Sequence, residues 1–164
     1  VTFLDPESDP LGAGYHIIQS KIALGSGGVF GKGLLAGTQS HLSFLPEKQT
    51  DFIFTMFAEE FGLIGSLTLL VLYTLLIGYG LFISYRVGHQ FGRLVCAGIM
   101  SVLFFYVFIN MAMVMGLVPV VGVPLPLISY GGTSMLSLMI GFGLLMSANV
   151  HRNIQINRHG DFID

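Results

Sequence analysis

The chain has 164 residues, of which 53% are hydrophobic and only 10% are charged, and its net charge is −2. Because soluble domains carry about 25% charged residues, this composition excludes an ordinary soluble domain and predicts an all-α membrane protein. The small net charge gives no basis for a nucleic-acid partner. The single cysteine, Cys96, excludes a disulfide within the chain.

Residues 1–50 are polar and rich in glycine and proline, and they predict one long loop without a span. Within this loop, residues 14–25 have the spacing of a short amphipathic helix, which could lie on the membrane surface or pack on other parts of a longer protein. Residues 25–37 contain six glycines and Lys32. Backbone N–H groups of such a segment can converge on an anion, and a set of tight turns is the alternative.

The loop leads into the first predicted helix through Thr50 and Asp51. Thr50 is a plausible N-cap, which would place Asp51 in the first helical turn. Asp51 is then either a carboxylate stabilised by the helix dipole or a carboxylate at the outer mouth of a bundle, where it meets a polar substrate. Glu59 and Glu60 follow before the apolar run, and we expect one of them to face inward and pair within the bundle.

Two long segments without Asp, Glu, Lys or Arg predict three membrane spans. One segment ends at Arg86, and the other lies between Arg93 and Arg152 and is long enough to cross a hydrocarbon core of about 30 Å twice. The prolines of residues 119–128 must separate these two crossings. The expected division is a loop at 1–50, helices at about 51–85, 92–118 and 129–150 within the membrane region 51–151, an outer turn at 119–128, and a tail at 152–164.

The arginines predict the orientation of these spans. All four lie in the 86–93 turn or in the tail, and short cytoplasmic segments next to spans attract Lys and Arg. We therefore expect residues 1–50 and 119–128 to face outward and the C-terminus to lie in the cytoplasm. The chain lacks a starting Met and opens inside a polar stretch, which leads us to expect the C-terminal part of a longer protein.

Two polar features stand out near the outer end of the last two spans. Asn110 is the clearest polar residue inside a span, and an interhelical hydrogen bond is a better interpretation than a substrate role. The proline turn leads into a polar cluster at 129–134 that opens the last helix. This segment is either a capped re-entrant turn or the wall of a cavity, where free N–H groups at a helix start would suit an anionic head group.

Several motifs resemble those of the SEDS family (shape, elongation, division and sporulation). Residues 119–134, Pro-Val-Val-Gly-Val-Pro-Leu-Pro-Leu-Ile-Ser-Tyr-Gly-Gly-Thr-Ser, resemble the signature of that family. Residues 45–54 and 58–65 are similar to its other strong motif, and the Gly-Lys-Gly and Gly-Thr-Gln-Ser elements at 31–33 and 37–40 also fit. The variant looks closer to the members that act in elongation than to those of cell division.

The resemblance implies a ten-span helical bundle in the bacterial inner membrane, of which this chain holds the last three spans. It implies a peptidoglycan glycosyltransferase that polymerises lipid II on the outer face in cell elongation and cell-shape control, beside a class B penicillin-binding protein. Asp51 corresponds to the motif aspartate that the family treats as essential. We do not expect this chain to be active without the rest of the cavity wall.

The α-linked donor and the β-linked product of such a reaction require inversion, so one carboxylate can act as a general base without a covalent intermediate. Asp51 is the predicted catalytic residue. The predicted substrate-binding residues are Lys32, Gln39, Ser40, Glu47, Lys48, Ser129, Tyr130, Gly131, Gly132, Thr133 and Ser134. No metal ligand is predicted, although a divalent cation could take the place of Lys32 at the leaving pyrophosphate. A lipid II flippase and a non-catalytic scaffold for the penicillin-binding protein remain as alternatives.

Overall fold

The computed structural model describes residues 13–33, 51–152, 155–156 and 162–163, and the description below refers to these residues. Its elements are α1 (Ala13–Ser26), α2 (Ile53–Arg86), α3 (Gln90–Val114), α4 (Gly132–Val150), β1 (Gln155–Ile156) and β2 (Phe162–Ile163). The two strands pair antiparallel, with Gln155 opposite Ile163. The described chain is otherwise helical, and α1 confirms a helix inside the long N-terminal loop.

Helices α2, α3 and α4 are long and apolar enough to cross a membrane, and they are the three such helices among the described residues. In the most apolar 18-residue stretch of each helix, only 11% of α2, 33% of α3 and 6% of α4 is buried within the chain. The remaining apolar surface requires lipid or other protein around it. The predicted all-α protein with three long apolar helices is therefore confirmed, and the chain is a multi-pass membrane protein.

The helix ends differ from their predicted positions. Helix α2 begins at Ile53, so Asp51 and Phe52 form a turn before it and Asp51 does not lie in its first helical turn. The first bond of this turn runs from Thr55 N to Phe52 O at 3.1 Å. Helix α4 begins at Gly132, three residues later than predicted, because residues 126–129 form a turn of their own.

Helix α3 ends at Val114, four residues before the predicted end. Gly116 has a φ of 72°, and its N–H donates to Met113 O at 3.0 Å, while Leu117 N donates to Ala112 O at 2.8 Å. These two bonds form a Schellman cap, which satisfies the last carbonyls of the helix. The apolar residues after this cap belong to the turn that follows.

Helix α2 is interrupted at Gly62, whose φ of 66° and ψ of −160° are not helical. In a continuous helix the carbonyls of Glu59 and Glu60 would accept from Leu63 and Ile64. Residues 63–86 alone measure about 36 Å at 1.5 Å per residue, which is sufficient for a hydrocarbon core of about 30 Å. A span therefore does not need the short segment 53–61. Because the helix is interrupted at Gly62, this segment need not be collinear with residues 63–86.

The Gly-rich residues 27–33, here called the inserted loop, bind the backbone groups that this interruption leaves open. The four bonds are Lys32 N to Glu59 O (3.1 Å), Gly33 N to Glu60 O (3.1 Å), Leu63 N to Gly28 O (3.0 Å) and Ile64 N to Val29 O (3.3 Å). The loop thus satisfies the N–H groups of Leu63 and Ile64 and the carbonyls of Glu59 and Glu60, which a continuous helix would have paired with one another.

Close backbone contact explains Gly31 of the inserted loop and Gly62 of α2. A Cβ added to Gly31, which has a φ of 78°, would overlap Glu60 O and lie 2.6 Å from the carbonyl carbon of Glu60. A Cβ added to Gly62 would overlap Gly31 N and lie 2.7 Å from Val29 O. Only glycine allows the two backbones to approach this closely with positive φ.

The chain divides into two compact units. The first comprises Val1–Val71 and Tyr106–Gly131, and the second comprises Leu72–Phe105 and Gly132–Asp164. The second unit has an apolar core that includes the buried, free Cys96. The residues of this core are Ile83, Val87, Cys96, Met100, Leu103 and Leu145. The candidate site described next lies in the first unit.

Candidate functional site

Two distant motifs of the sequence meet at Asp51. The side chain of Asn110, in α3, is fully buried, and its Nδ2 donates to Asp51 O at 2.9 Å and to Val123 O at 2.6 Å. One amide group therefore holds the turn that precedes α2 and the turn at residues 119–128 that follows α3, here called the proline-rich turn. The hydrogen bond predicted for Asn110 is present, but its acceptors are backbone carbonyls of two turns rather than groups on a neighbouring helix.

The Asp51 side chain is buried, with 8% of the residue exposed. Its carboxylate lies against Gly122 of the proline-rich turn, because a Cβ added to Gly122 would be 3.0 Å from Asp51 Oδ2. Gly122 has a φ of 73°, a conformation that side chains rarely adopt. The turn thus brings backbone without a side chain against the carboxylate.

The proline-rich turn is closed by Leu125 and Ser129. Ser129 N donates to Leu125 O at 2.9 Å, and Leu125 N donates to Ser129 Oγ at 2.7 Å. Leu125 is buried, whereas Tyr130 is 80% exposed. The Leu125–Ser129 pair supports the interpretation of a capped turn, and the exposed ring of Tyr130 is available to a ligand or to another part of the protein.

Lys32 forms an ion pair with Glu59. Lys32 Nζ donates to Glu59 Oε1 at 2.7 Å, and the Glu59 side chain is 1% exposed. Glu59 is therefore the inward-facing glutamate that the Glu59-Glu60 pair predicted. Because a buried carboxylate needs a compensating charge, Lys32 stabilises Glu59 and holds the inserted loop to α2 at the same point.

Three N–H groups of the inserted loop donate to acceptors within the protein. Gly31 N donates to Gly27 O at 2.8 Å, and Lys32 N and Gly33 N donate to carbonyls of α2. These three bonds support the alternative of tight turns for the described part of the Gly-rich segment.

The other predicted site residues fall into two groups. Gln39, Ser40, Glu47 and Lys48, like the proposed N-cap Thr50, lie outside the described residues. Gly131 follows Tyr130 in the first unit, whereas Gly132, Thr133 and Ser134 open α4 in the second unit. Thr133 O accepts a hydrogen bond from Ser137 Oγ at 2.8 Å.

A protein metal site needs several His, Cys, Asp or Glu side chains close together. Within 13–33, 51–152 and the two short strands, no three His, Cys, Asp or Glu side chains come together in a group that could hold a metal ion. We therefore assign no ligands to the divalent cation that the sequence left open.

Gly122 was not identified from the sequence, where it was only one glycine among three prolines. Asn110 was identified, but its hydrogen bond was expected to run between helices rather than to two turns. The available signal was their spacing, because Asn110 stands six residues before the Gly116 cap, which turns the chain back towards it. Among the described residues, no hydrogen-bond partner is present for the buried Oδ1 of Asn110, so the side chain contributes to this part of the structure as a donor.

Comparison with known proteins gives a consistent result. The profile of the FtsW/RodA/SpoVE family of cell cycle proteins matches residues 1–154. The chain is 64% identical over 151 residues to the peptidoglycan glycosyltransferase MrdB of Escherichia coli K12, which covers 92% of the chain and 41% of that protein. It is 47% identical over 152 residues to the peptidoglycan glycosyltransferase RodA of Treponema pallidum, which covers 93% of the chain and 35% of that protein.

Two solved structures resemble the fold. One, from a peptidoglycan synthase complex that coordinates polymerisation and crosslinking, has a TM-score of 0.72 and 30% identity and covers 93% of this chain and 40% of that chain. The other is a crystal structure of a mutant of the rod shape determining protein RodA from Thermus thermophilus. It has a TM-score of 0.64 and 34% identity, and covers 76% of this chain and 39% of that chain. The chain spans about two fifths of the length of these proteins.

Proposed function

Since the chain belongs to the FtsW/RodA/SpoVE family of cell cycle proteins, we propose that the whole protein polymerises lipid II into peptidoglycan glycan strands. The single observation that supports this most directly is the meeting of the two motifs at Asp51. Asn110 binds the backbone of Asp51 and of Val123, and Gly122 lies against the Asp51 carboxylate. A buried carboxylate held between two such segments is suited to act on a bound hydroxyl.

In the proposed reaction, Asp51 removes the proton from the 4-hydroxyl of the acceptor sugar. The hydroxyl oxygen then forms a bond to the anomeric carbon of the donor, and the bond from that carbon to the pyrophosphate oxygen breaks. Undecaprenyl pyrophosphate leaves with the electron pair. Attack opposite the leaving group converts the α-linked donor into a β-linked product, which requires one base and no covalent enzyme intermediate.

The substrate-binding set is proposed on the same basis, with one change of emphasis. Lys32 is already paired with Glu59, so a contact to the leaving pyrophosphate would have to share that charge. Ser129, Tyr130 and Gly131 remain proposed contacts beside the proline-rich turn. The other members of the proposed set are Gln39, Ser40, Glu47, Lys48, Gly132, Thr133 and Ser134.

The proposed setting follows from the charge pattern and from the relatives. We place the protein in the bacterial inner membrane as a ten-span bundle, with residues 1–50 outside and the C-terminus in the cytoplasm. The resemblance to a structure from a peptidoglycan synthase complex supports a class B penicillin-binding protein as partner. The similarity to MrdB and to RodA supports a role in elongation and cell shape.

The test is Asp51→Asn in the full-length protein, purified and supplied with labelled lipid II. The substitution keeps the size of the side chain and removes the base, and we expect the polymerisation rate to fall by about 10²- to 10⁴-fold. Asp51→Glu keeps the charge and displaces it, and should retain more activity than Asp51→Asn.

The matched control is Ser101→Ala. Ser101 is exposed on α3 and its Oγ donates only within that helix, to Ala97 O at 2.9 Å. This variant should polymerise lipid II at the unmodified rate. Glycan strands of normal length and rate from Asp51→Asn would overturn the assignment of Asp51 as the base. Failure of the unmodified protein to polymerise lipid II would overturn the proposed function, and would leave a flippase or a scaffold as the remaining interpretations.

A further inference from the structure

Asn110 makes an unusual use of a buried amide. A carboxamide carries two N–H donors and one carbonyl acceptor. Both donors of Asn110 point at main-chain carbonyls, one of Asp51 at 2.9 Å and one of Val123 at 2.6 Å. The residue is 0% exposed, so water does not replace these bonds when they are lost.

The chemistry of the two acceptors requires an amide at this position. A carbonyl oxygen accepts hydrogen bonds and donates none, so the group facing both carbonyls must be an N–H donor. Leucine and aspartate are close to asparagine in size. Leucine has no polar group, and ionised aspartate has only acceptors, so neither offers an N–H donor. Glutamine keeps both donors and displaces them by one methylene.

The position of these two carbonyls connects Asn110 to the carboxylate. The first belongs to Asp51 itself, and its peptide carries the Cα from which the carboxylate extends. The second belongs to Val123, the neighbour of Gly122, whose backbone lies against Asp51 Oδ2. One amide therefore sets both the anchor of the carboxylate and the backbone surface on which the carboxylate rests.

We propose that Asn110 is a positioning residue for Asp51, an inference that rests on the proposed function of Asp51 as the base. Asn110 touches neither substrate nor reacting atoms, and it acts by holding the Asp51 peptide and the proline-rich turn at one separation. A displacement of about 1 Å at a catalytic group lowers a rate by about 10²-fold. The role therefore predicts a loss of turnover in protein that is still folded and still binds lipid II.

The experiment measures initial rates of lipid II polymerisation by the purified full-length protein over a range of lipid II concentrations. The variants are Asn110→Leu, Asn110→Asp and Asn110→Gln, with Ser101→Ala as the control on the same helix. Rates are divided by the folded, monodisperse fraction from size-exclusion chromatography. This division separates a loss of folded protein from a loss of turnover.

We expect kcat per folded protein to fall by about 10- to 100-fold for Asn110→Leu and Asn110→Asp, with KM changed by less than about 2-fold. Asn110→Gln keeps the donors, so its kcat should lie between those of the unmodified protein and Asn110→Leu. If Leu and Asp prevent folding, the Gln variant decides the question, because its displaced donors should still lower kcat at constant KM.

Three results would overturn the proposal. They are an unchanged kcat per folded protein in the variants that fold, a raised KM with unchanged kcat, and a Gln variant no better than Leu when both fold. The proposed role of Asp51 as the base fails separately. Normal turnover by Asp51→Asn would show that Asp51 is not the base. An inactive Asp51→Asn protein beside fully active Asn110 variants would overturn only the positioning role of Asn110.

Discussion

Because α2 is interrupted at Gly62, we predict that the single added methyl group of Gly62→Ala releases the inserted loop from α2. The Cβ of an alanine at this position would overlap Gly31 N and lie 2.7 Å from Val29 O. Its backbone conformation, with φ 66° and ψ −160°, would itself cost about 1–3 kcal/mol. The least strained response is a continuous helix. The four loop–helix hydrogen bonds are then lost, and two ordinary helical bonds replace them.

The size of the effect follows from these changes. A net loss of two hydrogen bonds corresponds to about 1–3 kcal/mol, and a helical alanine returns about 1 kcal/mol relative to glycine. Release of the loop also separates Lys32 from the buried Glu59, which adds about 1–3 kcal/mol after allowance for the partial exposure of the lysine. We expect Gly62→Ala to reduce stability by about 1–5 kcal/mol.

Gly78→Ala provides the matched control in the same helix. An added Cβ at Gly78 meets nothing within 4 Å, so this substitution should stabilise the helix by about 0.5–1 kcal/mol. The same chemical change therefore has opposite signs at two positions of α2. A scale that considers only helix propensity predicts stabilisation at both.

Two measurements on the purified full-length protein check this prediction. The midpoint of thermal unfolding should fall by roughly 3–10 °C for Gly62→Ala and should not fall for Gly78→Ala. Hydrogen–deuterium exchange should become faster at the amides of Lys32 and Gly33, which donate to α2 in the intact structure. A Gly62→Ala protein as stable as the control, with these amides still protected, would refute the insertion of the loop.

Two further predictions concern the carboxylates. Gly122→Ala places a methyl group 3.0 Å from Asp51 Oδ2 at a φ of 73°, so kcat for lipid II polymerisation should fall by about 10-fold. Gly98→Ala, whose Cβ would meet nothing within 4 Å, should keep the unmodified rate, and equal rates for both variants would contradict the contact. Lys32→Met should lower stability by about 1–3 kcal/mol because it leaves Glu59 without its lysine. Thermal unfolding should show that the added Glu59→Gln restores part of that loss, and a double variant less stable than Lys32→Met would contradict the pairing.

The number of spans and the inward glutamate could be predicted because they follow from local composition. A charge-free segment of sufficient length must cross the membrane, and two adjacent glutamates on a helix cannot both face lipid. The buried Glu59 and the three long helices confirm this reasoning. The sequence also carried a signal for the helix end at Val114, because Gly116 followed by Pro119 is a common pattern at a C-cap. The predicted end lies four residues later because the apolar residues continue beyond Val114.

The start of α2 and its interruption could not be predicted, because distant residues decide both. Asp51 O accepts from Asn110, which holds Asp51 in a turn although Thr50 and Asp51 had the pattern of a helix start. The break at Gly62 depends on the inserted loop, about thirty residues earlier in the chain. A lone glycine within a helical pattern is usually tolerated, so periodicity gave no sign of it.

The inserted loop has a consequence for the order in which the site assembles during synthesis. Residues 28–33 leave the ribosome before residues 59–64, so the backbone groups at the interruption find their partners as soon as α2 forms. The contact of Asn110 with Asp51 and Val123 must wait until the next span and the following turn have been made. The contact between the inserted loop and α2 is therefore complete while the turn that contacts Asp51 is still being translated.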